Sequence, residues 1–116
     1  NQLTKLNLNG CKSIKSLIAT NNFINQLDLD TNISLQYLKI SANEIAQIDL
    51  SNQSNMELLW ISNNQLTKLD VSPLPKLYDL SVFGNADLSC IKILNDQAIA
   101  TLRKEDRQYL NTLSCE

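Results

Sequence analysis

A chain of 116 residues without a single histidine has few chemistries open to it. Histidine is the commonest general base near neutral pH and the commonest metal ligand, so its absence weighs against both roles. The sequence also lacks a Gly-rich phosphate loop, a Cys-x-x-Cys pair and a Gly-x-Ser-x-Gly turn. Carboxylates and cysteines remain. Asp28, Asp49 and Asp70 are spaced 21 residues apart. Stacked in one column at about 5 Å, they would repel one another and could share a Ca²⁺ ion. The competing reading is a solvated polar column, eased by Lys5, Lys68 and neighbouring hydroxyls. No cofactor is expected, and the chain reads as non-enzymatic.

The same spacing governs the whole chain. Leu17, Leu38, Leu59 and Leu80 follow it without gaps, as do Ala19, Ile40, Ile61 and Val82. Ile14, Leu35, Met56 and Leu77 form a third series, and Asn22, Asn43, Asn64 and Asn85 a fourth. Ile24, Ile45 and Leu66 continue it, then Leu27, Ile48 and Leu69, then Leu29, Leu50 and Val71. Leu3, Leu6 and Leu8 precede the last three series by one period, with Asn1 in the Asn series. A fixed period of this length marks a stacked-coil solenoid. Each half of the repeat alternates apolar and polar residues, the pattern of an extended segment with one face buried. Only 5% of residues are aromatic, so the core is aliphatic. With Gly 2 and Pro 2, the turns fall to Asn, which tolerates left-handed backbone.

Leu35-Gln36-Tyr37-Leu38-Lys39-Ile40-Ser41-Ala42-Asn43 resembles the signature of the leucine-rich-repeat family, Leu-x-x-Leu-x-Leu-x-x-Asn, over roughly residues 1–94. The repeat length is similar to that of short bacterial repeats in the style of the internalins. The resemblance implies a right-handed superhelix, classed as an α/β-type repeat solenoid dominated by β, with short parallel strands on both faces. Residues 1–94 then hold the repeats, the first incomplete, and residues 86–116 form a C-terminal cap of strand and helix. In that cap, Asn95 or Asp96 starts a helix through Ala98, Ile99, Leu102 and Leu110. A cysteine on the last coil and another after a terminal helix resemble the disulfide-bonded caps of secreted members. This implies a Cys90–Cys115 bond worth roughly 3 kcal/mol in the loop-entropy picture, with two separate buried thiols as the alternative. Cys11 shares its slot with Asn32, Gln53 and Leu74 and is expected to be a buried free thiol. The Asn series is expected to satisfy backbone groups at the coil corners.

The start of the chain looks unfinished. The first coil would expose Leu3, Leu6 and Leu8, so a longer array, or a partner covering that end by self-association, is expected.

If Leu59 and Ile61 point inward, their neighbours point out. The outward residues of successive strands are Ile18, Lys39, Trp60 and Ser81, flanked by Ser16, Tyr37, Leu58 and Asp79 and by Thr20, Ser41, Ser62 and Phe83. Large apolar residues among them suit an interface, and Trp and Tyr also stack on sugars. The candidate partner-binding set is Tyr37, Lys39, Leu58, Trp60, Asp79, Ser81 and Phe83. The bland alternative is that these residues merely suit strands and pack on each other or on a neighbouring molecule.

Lys and Arg are scattered and the formal net charge is -2, so no nucleic-acid footprint is present. No apolar run reaches the roughly 18 residues of a transmembrane helix. Asn32-Ile33-Ser34 and Asn52-Gln53-Ser54 match the glycosylation sequon, but Asn-rich turns generate such matches by chance. The expected function is protein recognition or adhesion through the strand face, with a glycan as the second candidate ligand, in an extracellular or bacterial cell-surface protein. The alternative is a structural spacer, or a repeat segment of a larger protein, including an enzyme.

Overall fold

A computed structural model describes residues 2–113 and 115. The chain winds through eight short strands: β1 (Ser16–Ile18), β2 (Tyr37–Lys39), β3 (Leu58–Trp60), β4 (Leu69–Asp70), β5 (Asp79–Ser81), β6 (Cys90–Lys92), β7 (Thr101–Arg103) and β8 (Tyr109–Asn111). They form two parallel sheets, one in the order β1-β2-β3-β5-β7 and one in the order β4-β6-β8. Strand pairs place Leu17 beside Leu38, Leu38 beside Leu59, Leu59 beside Leu80 and Leu80 beside Leu102. The period of the sequence is therefore the length of one coil, and equal positions stack in ladders.

The core is the space between the two walls of each coil. Leu38, Ile40, Leu59, Ile61, Leu80 and Val82 fill it from the first sheet, and Ile24, Ile45, Leu66, Leu50 and Val71 from the opposite wall. Burying each such side chain stabilises the fold by about 1.5–3 kcal/mol relative to leaving it exposed. No coil can bury this surface alone, so stacking and folding are one event.

Corners are set by two devices. Asn21, Ala42, Asn63 and Gly84 occupy one position in successive coils, all with left-handed backbone (φ 59°, 59°, 54° and 79°). The next residue in each coil is the ladder Asn. Asn64 donates through Nδ2 to the carbonyls of Ile40, Ile61 and Ser62, while its Oδ1 accepts the Ile45 N–H. Asn43 and Asn85 repeat the pattern one coil earlier and later. Each Asn thereby fastens its own coil to the one before, satisfying buried backbone groups that no water reaches. A lesser ladder runs along the opposite corner. Asn32 donates to Leu8 and Cys11, Gln53 to Leu29, and Gln97 to Val71 and Leu74.

Three expectations are corrected. First, the fold is a parallel β-solenoid and not of α/β type, with no helix among the described residues. The segment expected to form a cap helix through Ala98, Ile99, Leu102 and Leu110 makes a further coil instead. Leu102 enters the Leu80 slot and Leu110 pairs beside Ile91. Ile99 and Leu102, three residues apart, suit a helix face and the Leu-x-x-Leu repeat equally. The open edge of β5 decides between them, because β7 satisfies its N–H and C=O groups where a helix would leave them bare. Second, strands on the second face begin only at Leu69. Earlier coils there are joined by single bonds, such as Glu44 N–H to Ile24 and Gln65 N–H to Ile45, and by the Lys5–Gln26 bridge. Third, Cys11 is a free but exposed thiol. Its column mate Asn32 is covered by the coil before it, and no described coil stacks beyond Cys11. Asn1, the expected first member of the Asn series, lies outside the described residues.

Cys90 and Cys115 are joined by a disulfide, which ties the end of the chain to buried strand β6.

Candidate functional site

The outward side chains of the five-stranded sheet form three rows. Register places Ile18, Lys39, Trp60, Ser81 and Arg103 in the middle row, and Ser16, Tyr37, Leu58, Asp79 and Thr101 in the next. The third row follows the strands, with the carbonyls of Ser41, Ser62 and Phe83 accepting the N–H of Asn21, Ala42 and Asn63 in the coil before.

Trp60 is the centre of this face. Its indole N–H donates to Asp79 Oδ1 at 3.1 Å. The Lys39 ammonium lies 4.4 Å from the ring centroid, reaching it from β2. From the other side the Arg103 guanidinium carbon lies 5.3 Å from the same centroid. Arg103 stands two strands away, roughly 10 Å at ordinary strand spacing. It reaches the ring because the position between them is Ser81, too small to block the path. Arg103 also pairs with Asp79 at 2.8 Å, through the same Oδ1 that accepts the indole N–H. Asp79 is therefore a hub that holds a neutral donor and a cation together.

Not every expected member of the face reaches solvent. Phe83 is 45% exposed, and Tyr37, Lys39, Trp60 and Asp79 are half-buried. Leu58 and Ser81 point outward yet are buried. Leu58 stands between Tyr37 and Asp79 in its row, while Ser81 lies beneath the Arg103–Trp60 contact and hydrogen-bonds Ser62 at 2.7 Å. The expectation that these two stand free is thus corrected. Arg103 and Glu105 were missed, because the helix expected over this segment removed them from the sheet. The missing signal was the continuation of the Leu series at Leu102, one residue later than the period demands.

The aspartate column has a local role. Asp28, Asp49 and Asp70 each accept the backbone N–H of the residue two positions on, at 2.9 Å. Asn7 does the same one coil earlier. These are turn-closing Asx bonds, for which Asp and Asn are chemically equivalent. Asp49 also accepts the Ser51 hydroxyl. That bond, with the Ser51 backbone N–H, holds the Asp49 carboxyl below its ordinary pKa. Among the described residues no three His, Cys, Asp or Glu side chains group as a metal-holding cluster.

No protein-family model matches the sequence, and no curated protein matches it. A solved structure does match: the functional domain of InlJ from Listeria monocytogenes, a domain described as including a cysteine ladder, at a TM-score of 0.55 and 20% identity. The match covers 97% of this chain and 34% of that one, so the chain spans about a third of the neighbour's length. The fold is leucine-rich-repeat-like. In this leucine-rich-repeat-like solenoid the main ladder is built of Asn. Cysteine appears in the lesser ladder's column only at Cys11.

No helix among the described residues is long and apolar enough to cross a membrane.

Proposed function

We propose that this chain is a non-enzymatic recognition module that binds a protein partner through the strand face centred on Trp60. The observation that carries this reading is the assembly of Lys39, Trp60 and Arg103 in one outward row, on strands whose inward residues Leu38, Leu59 and Leu102 pack in or against the core. Aromatic and arginine side chains grouped on a surface are the usual source of interface energy. Tyr37, Asp79 and Phe83 complete the candidate set, with Leu58 and Ser81 as its floor. We place the protein outside the cell or on a cell surface, supported by the Cys90–Cys115 disulfide and the likeness to the InlJ domain. Residues 1–94 serve as the repeats, and residues 86–116 as a terminal unit tied down by the disulfide.

A second reading is favoured by a specific feature. Trp60 is satisfied internally by Asp79, Lys39 and Arg103, as a purely structural side chain would be. The chain would then be a spacer. Trp60→Ala separates the two when partner retention and thermal unfolding are measured on the same preparation. Recognition predicts loss of the partner with a shift of a few degrees in Tm. Retained binding with a large drop in Tm supports the spacer.

A further inference from the structure

We infer that the Trp60 face takes an acidic polypeptide segment, whose carboxylates are bound by Lys39 and Arg103; the inference rests on the strand-face reading above. The first argument is that the indole is already occupied. Lys39 and Arg103 lie 4.4 and 5.3 Å from its centroid, and its N–H is committed to Asp79. A neutral sugar stacks on a bare ring, and here it would have to displace two cations that the ring attracts. A ligand that uses the cations where they stand meets no such cost.

The second argument is charge balance across the face. Arg103 pairs with Asp79, and Glu105 pairs with Arg107 at 3.4 Å while accepting the Gly84 N–H. Lys39 has no carboxylate within ion-pairing distance among the described residues; its contact is the indole. Arg103 engages Asp79 through one terminal nitrogen and keeps 40% of its side chain exposed, leaving further N–H donors for a second carboxylate. The face thus carries one uncompensated positive charge and one cation with spare donors, set over the same ring.

Geometry then limits the ligand. Alternate residues of an extended peptide stand about 7 Å apart on one side. The Lys39 and Arg103 heads approach the same indole, so they stand less than about 10 Å apart, within reach of two carboxylates at that spacing. Phe83, 45% exposed in the neighbouring row, offers contact to an apolar residue beside them.

Trp60 is the chain's single tryptophan, so its fluorescence and indole N–H resonance report this face alone. The intact chain is titrated with a blocked decapeptide of alternating Glu and Ala, with the matching Lys–Ala peptide and maltohexaose in parallel. The acidic peptide should give a saturable shift that weakens at least tenfold in Lys39→Gln and vanishes at high salt. No shift with the acidic peptide, or an equal shift in Lys39→Gln, overturns the inference. A Trp60 response to maltohexaose or to the basic peptide, but not to the acidic one, overturns it while leaving the strand-face reading intact. That reading falls on a different result, namely partner binding unaffected by Trp60→Ala.

Discussion

The indole N–H of Trp60 and the carboxylate of Asp79 are bonded diagonally across the β3–β5 pairing, 3.1 Å apart. The direct register partner of Asp79 is Leu58, and that of Trp60 is Ser81. The bond therefore locks the middle row to the row beside it. Because Arg103 shares the same carboxylate oxygen, Asp79 should matter more than either donor. Asp79→Ala is expected to cost about 1–2 kcal/mol, since it strands two donors. Arg103→Ala should cost no more than about 1 kcal/mol, as an exposed partner in a half-open ion pair. Urea unfolding of both variants checks the order, and a costlier Arg103→Ala contradicts the hub.

Asn64 holds two coils together through buried bonds to Ile40, Ile61, Ser62 and Ile45. Asn64→Ala leaves the buried Ile45 N–H without a partner, while the Ile40, Ile61 and Ser62 carbonyls each lose one of two donors and keep the other, from Asn43, Asn85 and the Ala42 N–H. The expected loss is roughly 2–4 kcal/mol, counting about 1–3 for a stranded group plus lost bonds. Asn52→Ala, on an exposed turn with one bond to Asp30, should cost well under half of that.

The left-handed corner gives a prediction of opposite signs. Ala42 adopts φ 59°, which costs an L-residue about 1–2 kcal/mol. Ala42→Gly should therefore stabilise, by a few tenths to about 1 kcal/mol after the glycine's own entropy is subtracted. Gly84 has φ 79°, and a β-carbon there would overlap the Asn63 amide and lie 3.1 Å from the Asn63 Cα. Gly84→Ala should destabilise by at least about 1–2 kcal/mol from the backbone alone. A thermodynamic cycle with Asn63→Ala should show coupling, because that change removes part of the overlap.

Asp49 offers a pH test. Its folded pKa is lowered by the Ser51 hydroxyl and backbone N–H, so it contributes stability that is present above the unfolded pKa. That contribution is lost as pH falls through the folded value, on the acid side of the usual carboxylate range. Ser51→Ala should raise the Asp49 midpoint toward the ordinary value in a carboxyl NMR titration. An unchanged midpoint would show that the hydroxyl bond is absent in solution.

Reducing the Cys90–Cys115 bond, or Cys115→Ala, should lower stability by about 3 kcal/mol in the loop-entropy picture. Hydrogen exchange should show the loss first at Tyr109–Asn111, where β8 is the edge strand of its sheet.

Much of this was legible without coordinates, since a 21-residue spacing obeyed by several side-chain series at once admits one register. That register sets Leu38, Leu59 and Leu80 inward, gives the Asn series its corners, and puts Trp60 on the outer face. Once the repeat slips by a residue after Leu80, local spacing no longer separates a helix from another coil. The free edge of β5 makes that choice, because unpaired backbone must be satisfied, and it brings Arg103 to Trp60. Burial of Leu58 and Ser81 likewise depends on neighbours one strand away, and exposure of Cys11 on what stacks against its coil. Periodicity states which way a side chain points. Only the stacked coils decide what lies beside it, because those neighbours are about 21 residues away along the chain and one strand spacing, about 4.8 Å, away in space.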